Sequence, residues 1–232
     1  MCYHYSLKTS KIELEKQYSL KISEEVNKSL STIHVSAFEE KQMPVITDLG
    51  IQLQHWGLIP HWAKKKELTY PTANAKAESL NEKPTWKLPI SSQRCLVPAT
   101  GFFEWRHEGK QKYPYYINVK NQSLFSFAGI WDQWINPINH RTHYSFSIIT
   151  TSADEVMDKI HNTKKRMPYI LNKKDESTWL NKNTSSSTIK DILSNPTAKL
   201  NGITIRKDFI NHPTPKTLSL WEYPELSLID LF

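Results

Sequence analysis

Gly101-Phe-Phe-Glu-Trp-Arg-His107 and Tyr113-Pro-Tyr-Tyr-Ile-Asn-Val119 are two aromatic-rich runs joined by the polar link Glu108-Gly-Lys-Gln-Lys112. Large and β-branched side chains on either side of a short Gly-bearing link predict a β-hairpin. Downstream, Leu124–Trp131 and His143–Thr151 continue the strand series, and Gly202–Ile205 adds a late strand. Upstream, Ile51–Trp56 and Arg94–Pro98 are further strand candidates. Met167–Leu171 is another apolar run, with Pro168 placing it at an edge or strand start. Helical signals lie outside and between these runs. Residues 10–31 are polar with scattered Ile, Leu and Val, Asp175–Leu180 and Ser187–Leu193 read as short helices, and Ser152-Ala-Asp-Glu155 reads as a capping box. Val156, Met157 and Ile160 follow that box at helical spacing. Strands in the middle and helices around them predict an α+β fold with a mostly antiparallel, barrel-like β core and flanking short helices.

No repeat and no long Pro/Gly/Ser linker divides the 232 residues, so the expectation is one domain over residues 1–232. Lys and Arg total 30 against 23 Asp and Glu, a net charge of +7, and aromatics make up 11%. Positive charge interleaved with aromatics suits a single-stranded nucleic-acid groove, although any large core needs aromatics too. Only 6 glycines are present, and no P-loop or dinucleotide fingerprint occurs. No 18-residue apolar run predicts a membrane span. The start, Met1-Cys-Tyr-His-Tyr-Ser, lacks the apolar region of a signal peptide. Two cysteines, Cys2 and Cys95, make no disulfide framework, which points to a reducing cytoplasm. No C-x-x-C or H-E-x-x-H is present, so no metal or other cofactor is expected.

Four residues could carry chemistry. Initiator Met is commonly removed before a small residue, which would leave Cys2 with an α-amine and a thiol on adjacent carbons. The amine, with an ordinary pKa of about 7.7–8.0, attacks aldehydes to give an imine, and the thiol then closes a thiazolidine ring. The bland alternative is an incidental terminal cysteine. Glu104 sits between Phe103 and Trp105, where loss of water would raise its pKa and suit proton transfer. Taken alone, an alternating strand with Glu104 on its wet face is the plainer explanation. His161 follows the capped helix, and a helix C-terminus favours its cationic form, or it is a surface helix end. Asn74, in Pro71-Thr-Ala-Asn-Ala-Lys-Ala-Glu-Ser79, can orient an amine or simply cap a following helix.

Five segments occur in one order: Met1-Cys2, Trp56-Gly-Leu-Ile-Pro-His-Trp62, Asn74-Ala-Lys-Ala-Glu78, Arg94-Cys-Leu-Val-Pro-Ala-Thr-Gly-Phe-Phe-Glu-Trp105, and His161 before Arg166-Met-Pro168. Together they resemble the SRAP family, abasic-site processing proteins with a catalytic N-terminal cysteine. The resemblance runs from Cys2 to Leu171 and more weakly to the C-terminus. It implies a β-rich α+β fold and action in the DNA damage response on single-stranded DNA that contains an abasic site. The ring-opened aldehyde would be captured as a thiazolidine crosslink, with lyase, crosslink-reversal and self-processing peptidase activities alongside. It assigns Cys2 as nucleophile, Asn74 as the residue orienting its amine, Glu104 as acid/base and His161 as the histidine near the imine. It assigns Lys76 and Arg166 to phosphate and Trp62 to an aromatic role near DNA, while Trp105 offers a second stacking face. The chain departs from the family pattern in Tyr3-His4, in Lys76 where Arg is usual, and in the four residues Asn162–Lys165 between His161 and Arg166. A monomer without membrane association is the default partner state. The alternatives are an N-terminal-nucleophile cysteine amidohydrolase and a non-catalytic single-stranded nucleic-acid binder.

Overall fold

The computed structural model describes residues 2–66, 68, 71–196 and 198–229. Met1, and Glu67 at the end of the charged run Lys64-Lys-Lys-Glu67, lie outside the described residues. The strands are β1 His4–Lys8, β2 Ser31–Ser36, β3 Gln42–Thr47, β4 Gly50–Trp56, β5 Asn74–Lys76 and β6 Arg94–Ala99. They continue with β7 Gly101–Glu108, β8 Gln111–Val119, β9 Phe125–Ile135, β10 Thr142–Ser152, β11 Arg166–Pro168 and β12 Leu200–Thr204. The helices are α1 Lys11–Tyr18, α2 Glu24–Ser29, α3 Pro84–Ser92, α4 Glu155–Ile160, α5 Glu176–Leu180, α6 Ser186–Ser194 and α7 Pro224–Ile229.

The expected hairpin is β7–β8, paired from Phe102↔Ile117 to Glu108↔Gln111. Its turn is tighter than the five-residue link suggested, because Gly109 adopts a φ of +57°. At the other end Gly101 admits the ring of Tyr116, which a Cβ would meet at 2.3 Å. Tyr116 then donates to the Thr100 carbonyl at 3.0 Å and sits 3.2 Å from the Ser6 hydroxyl, fixing the hairpin against β1. These strands form a five-stranded sheet in the order β12-β8-β7-β1-β2.

The second sheet closes on itself. Strand β4 pairs with β3, β3 with β6, β6 with β9 and β9 with β10, all antiparallel. Parallel pairing of β10 with β4 at Ser145↔His55 and Phe146↔Trp56 completes a five-stranded barrel. The open sheet packs over this barrel. Tyr5 meets Trp56 edge-on at 5.0 Å, and Phe102 meets Phe127 edge-on at 5.9 Å, so aromatic rings from both layers fill the space between them.

Strand β10 is the hub. Beyond the barrel it pairs in parallel with β5 (Ile148↔Asn74, Thr150↔Lys76) and antiparallel with β11 (Thr150↔Pro168, Ser152↔Arg166). Ser152 is committed to that ladder, so the expected cap shifts by two residues. Asp154 is the N-cap of α4 and accepts from the Met157 N–H at 2.7 Å. Strand β3 is unexpected because Pro44 stands inside it. Its pairing with β6 is confined to Ile46↔Leu96, away from the proline.

Candidate active site

Cys2 is fully buried where the open sheet meets the barrel. Its thiol donates to the His4 carbonyl at 3.4 Å. Burial raises the thiol pKa, and the nearby Glu104 carboxyl raises it further, so the resting group is a neutral thiol. Asn74 is also buried. It does not cap a helix: it lies in β5 and donates from Nδ2 to the Cys2 carbonyl at 2.8 Å. Among the described residues its Oδ1 has no hydrogen-bond partner. That leaves one strong acceptor beside the residue whose backbone Nδ2 holds.

Glu104 is on the interior side of β7 and only 5% exposed. Desolvation pushes its pKa up to about 8, so the carboxyl carries a proton at neutrality. The wet-face alternative is therefore wrong for this strand. Across from it, His161 Nε2 lies 3.8 Å from Glu104 Oε2. His161 Nδ1 lies 2.8 Å from the Arg166 carbonyl, which can only accept, so Nδ1 carries the hydrogen and Nε2 is left as the basic nitrogen. Burial lowers the His161 pKa and keeps the ring neutral. This outweighs the helix-end effect, which would favour the cation. His161 is the C-cap of α4, and the four-residue loop after it is tied down. Lys165 N–H donates to the His161 carbonyl at 2.9 Å, and Asn162 bonds both polar backbone groups of His107. A cavity of about 330 Å³ opens here, lined by His4, Glu104, Trp105, His107 and His161 among others. A larger cavity, about 620 Å³, lies elsewhere, between α3 and α6.

The structure groups Cys2, Asn74, Glu104 and His161 and spreads the remaining assigned residues around them. Trp105 is half-buried, with His4 packed against its ring at 5.0 Å. Lys76 is exposed at the end of β5. Trp62 is 48% exposed on the loop after β4, which Gly57 enters with a φ of +135°. Arg166 is not free: it makes a bidentate pair with Glu78 at 2.6 and 3.0 Å and donates to the Thr150 carbonyl at 2.6 Å. Sequence reasoning missed Glu78, although it closes the Asn74-Ala-Lys-Ala-Glu78 segment. It also missed His34, whose Nε2 lies 2.9 Å from His4 Nδ1. Burial, with His34 beside it, lowers the His4 pKa to about 4, so a neutral ring stands at the position following Tyr3.

Among the described residues no cluster of three or more His, Cys, Asp or Glu could hold a metal ion, and no helix is long and apolar enough to cross a membrane. Known proteins resemble this chain in sequence and fold. The sequence profile described as "SOS response associated peptidase (SRAP)" matches residues 1–212. The abasic site processing protein YoqW of Bacillus subtilis is 43% identical over 140 residues, which is 60% of this chain and 61% of YoqW. The abasic site processing protein HMCES of Gallus gallus is 32% identical over 164 residues, 61% of this chain and 46% of that one. A crystal structure of a protein from Bacteroides thetaiotaomicron superposes with a TM-score of 0.87 at 37% identity, covering 95% of this chain and 100% of that one. With the profile match running through both sheets and every residue of the Cys2 site, this chain belongs to the SOS response associated peptidase family.

Proposed function

We propose that this chain, acting as a single domain and a monomer, processes abasic sites in single-stranded DNA by capturing the ring-opened aldehyde on Cys2. The observation that carries the reading is the convergence on Cys2 of Asn74, bonded at 2.8 Å, and of a Glu104 carboxyl that burial keeps protonated. Relatives named as abasic site processing proteins support the abasic site as substrate.

After loss of Met1, the Cys2 α-amine attacks the aldehyde carbon. Asn74 Oδ1 accepts from that amine and aims its lone pair. The protonated Glu104 gives its proton to the departing hydroxyl, water leaves, and an iminium forms. The Cys2 thiol then adds to the same carbon while its proton passes to the Glu104 carboxylate, closing the thiazolidine. One water is released overall, and Glu104 ends as it began. The neutral His161 Nε2, 3.8 Å from Glu104, takes and returns the proton in the competing elimination and reversal steps. A buried thiol suits this order, because the amine acts first and the sulfur is needed only once the iminium exists.

DNA is held by its backbone, since an abasic sugar offers no base to read. Lys76 and Arg166 face phosphates, with Arg166 exchanging its Glu78 partner for the nucleic acid. Trp62 and Trp105 offer stacking faces. At about four to six contacts and a slope of about −0.7 each, affinity falls roughly 50- to 340-fold between 50 and 200 mM salt. Incubation with an abasic single-stranded oligonucleotide, followed by a denaturing gel, tests the reading. The expected covalent band disappears in Cys2→Ala, and intact mass of the active protein lacks Met1. A band that survives Cys2→Ala, or active protein that retains Met1, refutes it.

A further inference from the structure

We propose that Tyr3 and Phe38 wall a pocket for the nucleobase next to the abasic sugar, which makes them selectivity residues of the Cys2 site. The proposal rests on the reading of Cys2 as the group that captures an abasic site in single-stranded DNA. It adds what that site takes from the neighbouring nucleotide.

Tyr3 follows Cys2 directly and is one of the positions where the chain departs from the family pattern. Its carbonyl accepts from the Ala37 N–H at 2.9 Å, which carries the contact of β1 with β2 one step past His4↔Ser36. Phe38 stands in the turn after β2, and its ring lies 5.1 Å from that of Tyr3 with 30° between the planes. The turn is tied down by its own polar groups. Phe38 N–H donates to Ser36 Oγ at 3.3 Å, Ser36 N–H to Glu39 Oε1 at 3.1 Å, and Glu39 N–H to the Ser36 carbonyl at 3.0 Å. Tyr3 is half-buried, whereas Phe38 is 76% exposed. An exposed ring on a fixed turn has already given up the freedom that binding would otherwise remove.

Beside the two rings is a cavity of about 210 Å³, room for one base and not for a second. Its floor is apolar, with Trp56, Ile59 and Ala73 all buried. Backbone groups around it are already bonded. The Ala73 carbonyl accepts from Trp56 Nε1 at 2.9 Å and from Ile148 N–H at 3.0 Å, the Thr72 carbonyl accepts from Ser147 Oγ, and Gly57 N–H donates to the Phe146 carbonyl at 2.9 Å. At the outer end His55 and Lys66 both face Glu40, at 3.9 and 2.7 Å. With these groups engaged, the cavity offers ring faces and apolar wall. A flat, uncharged aromatic group is what such walls take, and every nucleobase has a π-face.

The abasic sugar has no base of its own to stack, so its neighbour must supply that grip. The pocket opens one residue from Cys2, and a base seated there sets the base-free sugar in register with the amine and thiol. Stacking without hydrogen-bond readout follows ring size, so a purine neighbour binds better than a pyrimidine.

The test is fluorescence anisotropy on oligothymidines that carry one tetrahydrofuran residue, an abasic analogue without an aldehyde, so that no covalent step intervenes. One oligonucleotide keeps both neighbouring bases, and two others replace the 5′ or the 3′ neighbour by a second tetrahydrofuran. Loss of the seated neighbour is expected to weaken the parent about five- to 150-fold, the worth of one base stacked on aromatic side chains. Phe38→Ala is expected to lose about fivefold or more on the intact oligonucleotide, and nothing further where that neighbour is already missing. Phe38→Trp keeps the parent affinity. Adenine in place of thymine at the seated position tightens the parent and not Phe38→Ala. A parent that binds all three oligonucleotides equally, or a Phe38→Ala protein weakened equally on all three, overturns the pocket. The crosslinking gel with a true abasic oligonucleotide separates this from the reading beneath it. A Cys2-dependent band without any neighbour effect refutes the pocket alone, and a parent that gives no band refutes the Cys2 reading.

Discussion

Glu104 and Glu78 carry the same carboxyl in two neighbouring regions, and their surroundings hold them in opposite states. Glu104 faces inward from β7, away from water, and keeps its proton up to about pH 8. Glu78 stands on the half-exposed rim after β5, where the Arg166 hydrogen bonds hold its pKa below the usual range. One is a neutral acid that can give a proton; the other is a permanent anion that occupies a guanidinium. Burial against pairing, rather than residue type, leaves one carboxyl neutral and the other charged.

Replacing the inner carboxyl is the severest way to break the contrast. Glu104→Gln keeps shape and removes the titrating proton, so crosslinking to an abasic oligonucleotide should slow by about 10²–10⁴-fold with little change in dissociation constant. Rate and affinity falling together in proportion would make Glu104 structural. The corresponding change at the rim, Glu78→Gln, should leave the crosslinking rate within about threefold at saturating DNA, because no proton passes through that pair.

Stability against pH sharpens the same contrast through its sign. A carboxyl raised from 4.5 to about 8 leaves the native state holding more protons than the unfolded state across that window. Glu104 therefore costs stability as pH rises from about 4.5 to 8, and the cost levels off above. Glu104→Gln should be more stable than parent at pH 8 by the order of 3–5 kcal/mol and nearly equal at pH 4.5. Thermal melts at the two pH values measure this. Glu78 has the opposite sign: its depressed pKa contributes stability above the ordinary carboxylate pKa, lost as pH falls through the folded value. The effect is small because Glu78 is half-exposed, so Glu78→Gln should cost less than about 1 kcal/mol at pH 7. The smallest expected effect is on binding. With Arg166 released, Glu78→Gln should tighten single-stranded DNA binding about two- to fivefold at low salt, read by anisotropy. Weaker binding would show that the pair positions Arg166 instead of competing for it.

How much of this could be read from sequence follows the range of each interaction. The β7–β8 hairpin was legible because its signal is local, whereas Glu104 between two aromatics read as readily as a wet-face strand residue until the ordered segments were taken together. Cys2 offered suitable chemistry, but its position alone did not separate it from an incidental terminal cysteine. His161 was not selectable by spacing among nine histidines, and only its order among the other segments singled it out. The parallel β4–β10 pairing that closes the barrel joins residues 55 and 145, too far apart for any periodicity to report. The same holds for Arg166 with Glu78, since the pair meets only once the barrel exists. Pro44 hid β3 because a local rule against proline in strands was outweighed by tertiary pairing.

Closure through β10 also sets a timetable. Cys2 leaves the ribosome first, yet Asn74 is held beside it only by pairing with residues 148–150 of β10. His161 and β11 follow later still. At about 5–20 residues per second, about 8–33 s of synthesis separate the emergence of Cys2 from that of the end of β11 at Pro168. Until the end of that interval Cys2 stands without a complete pocket, since His161 and β11 come last. If Cys2 carries the proposed chemistry, the order of the strands along the chain acts as a delay on it, because the pocket closes only after β10 and β11 are made.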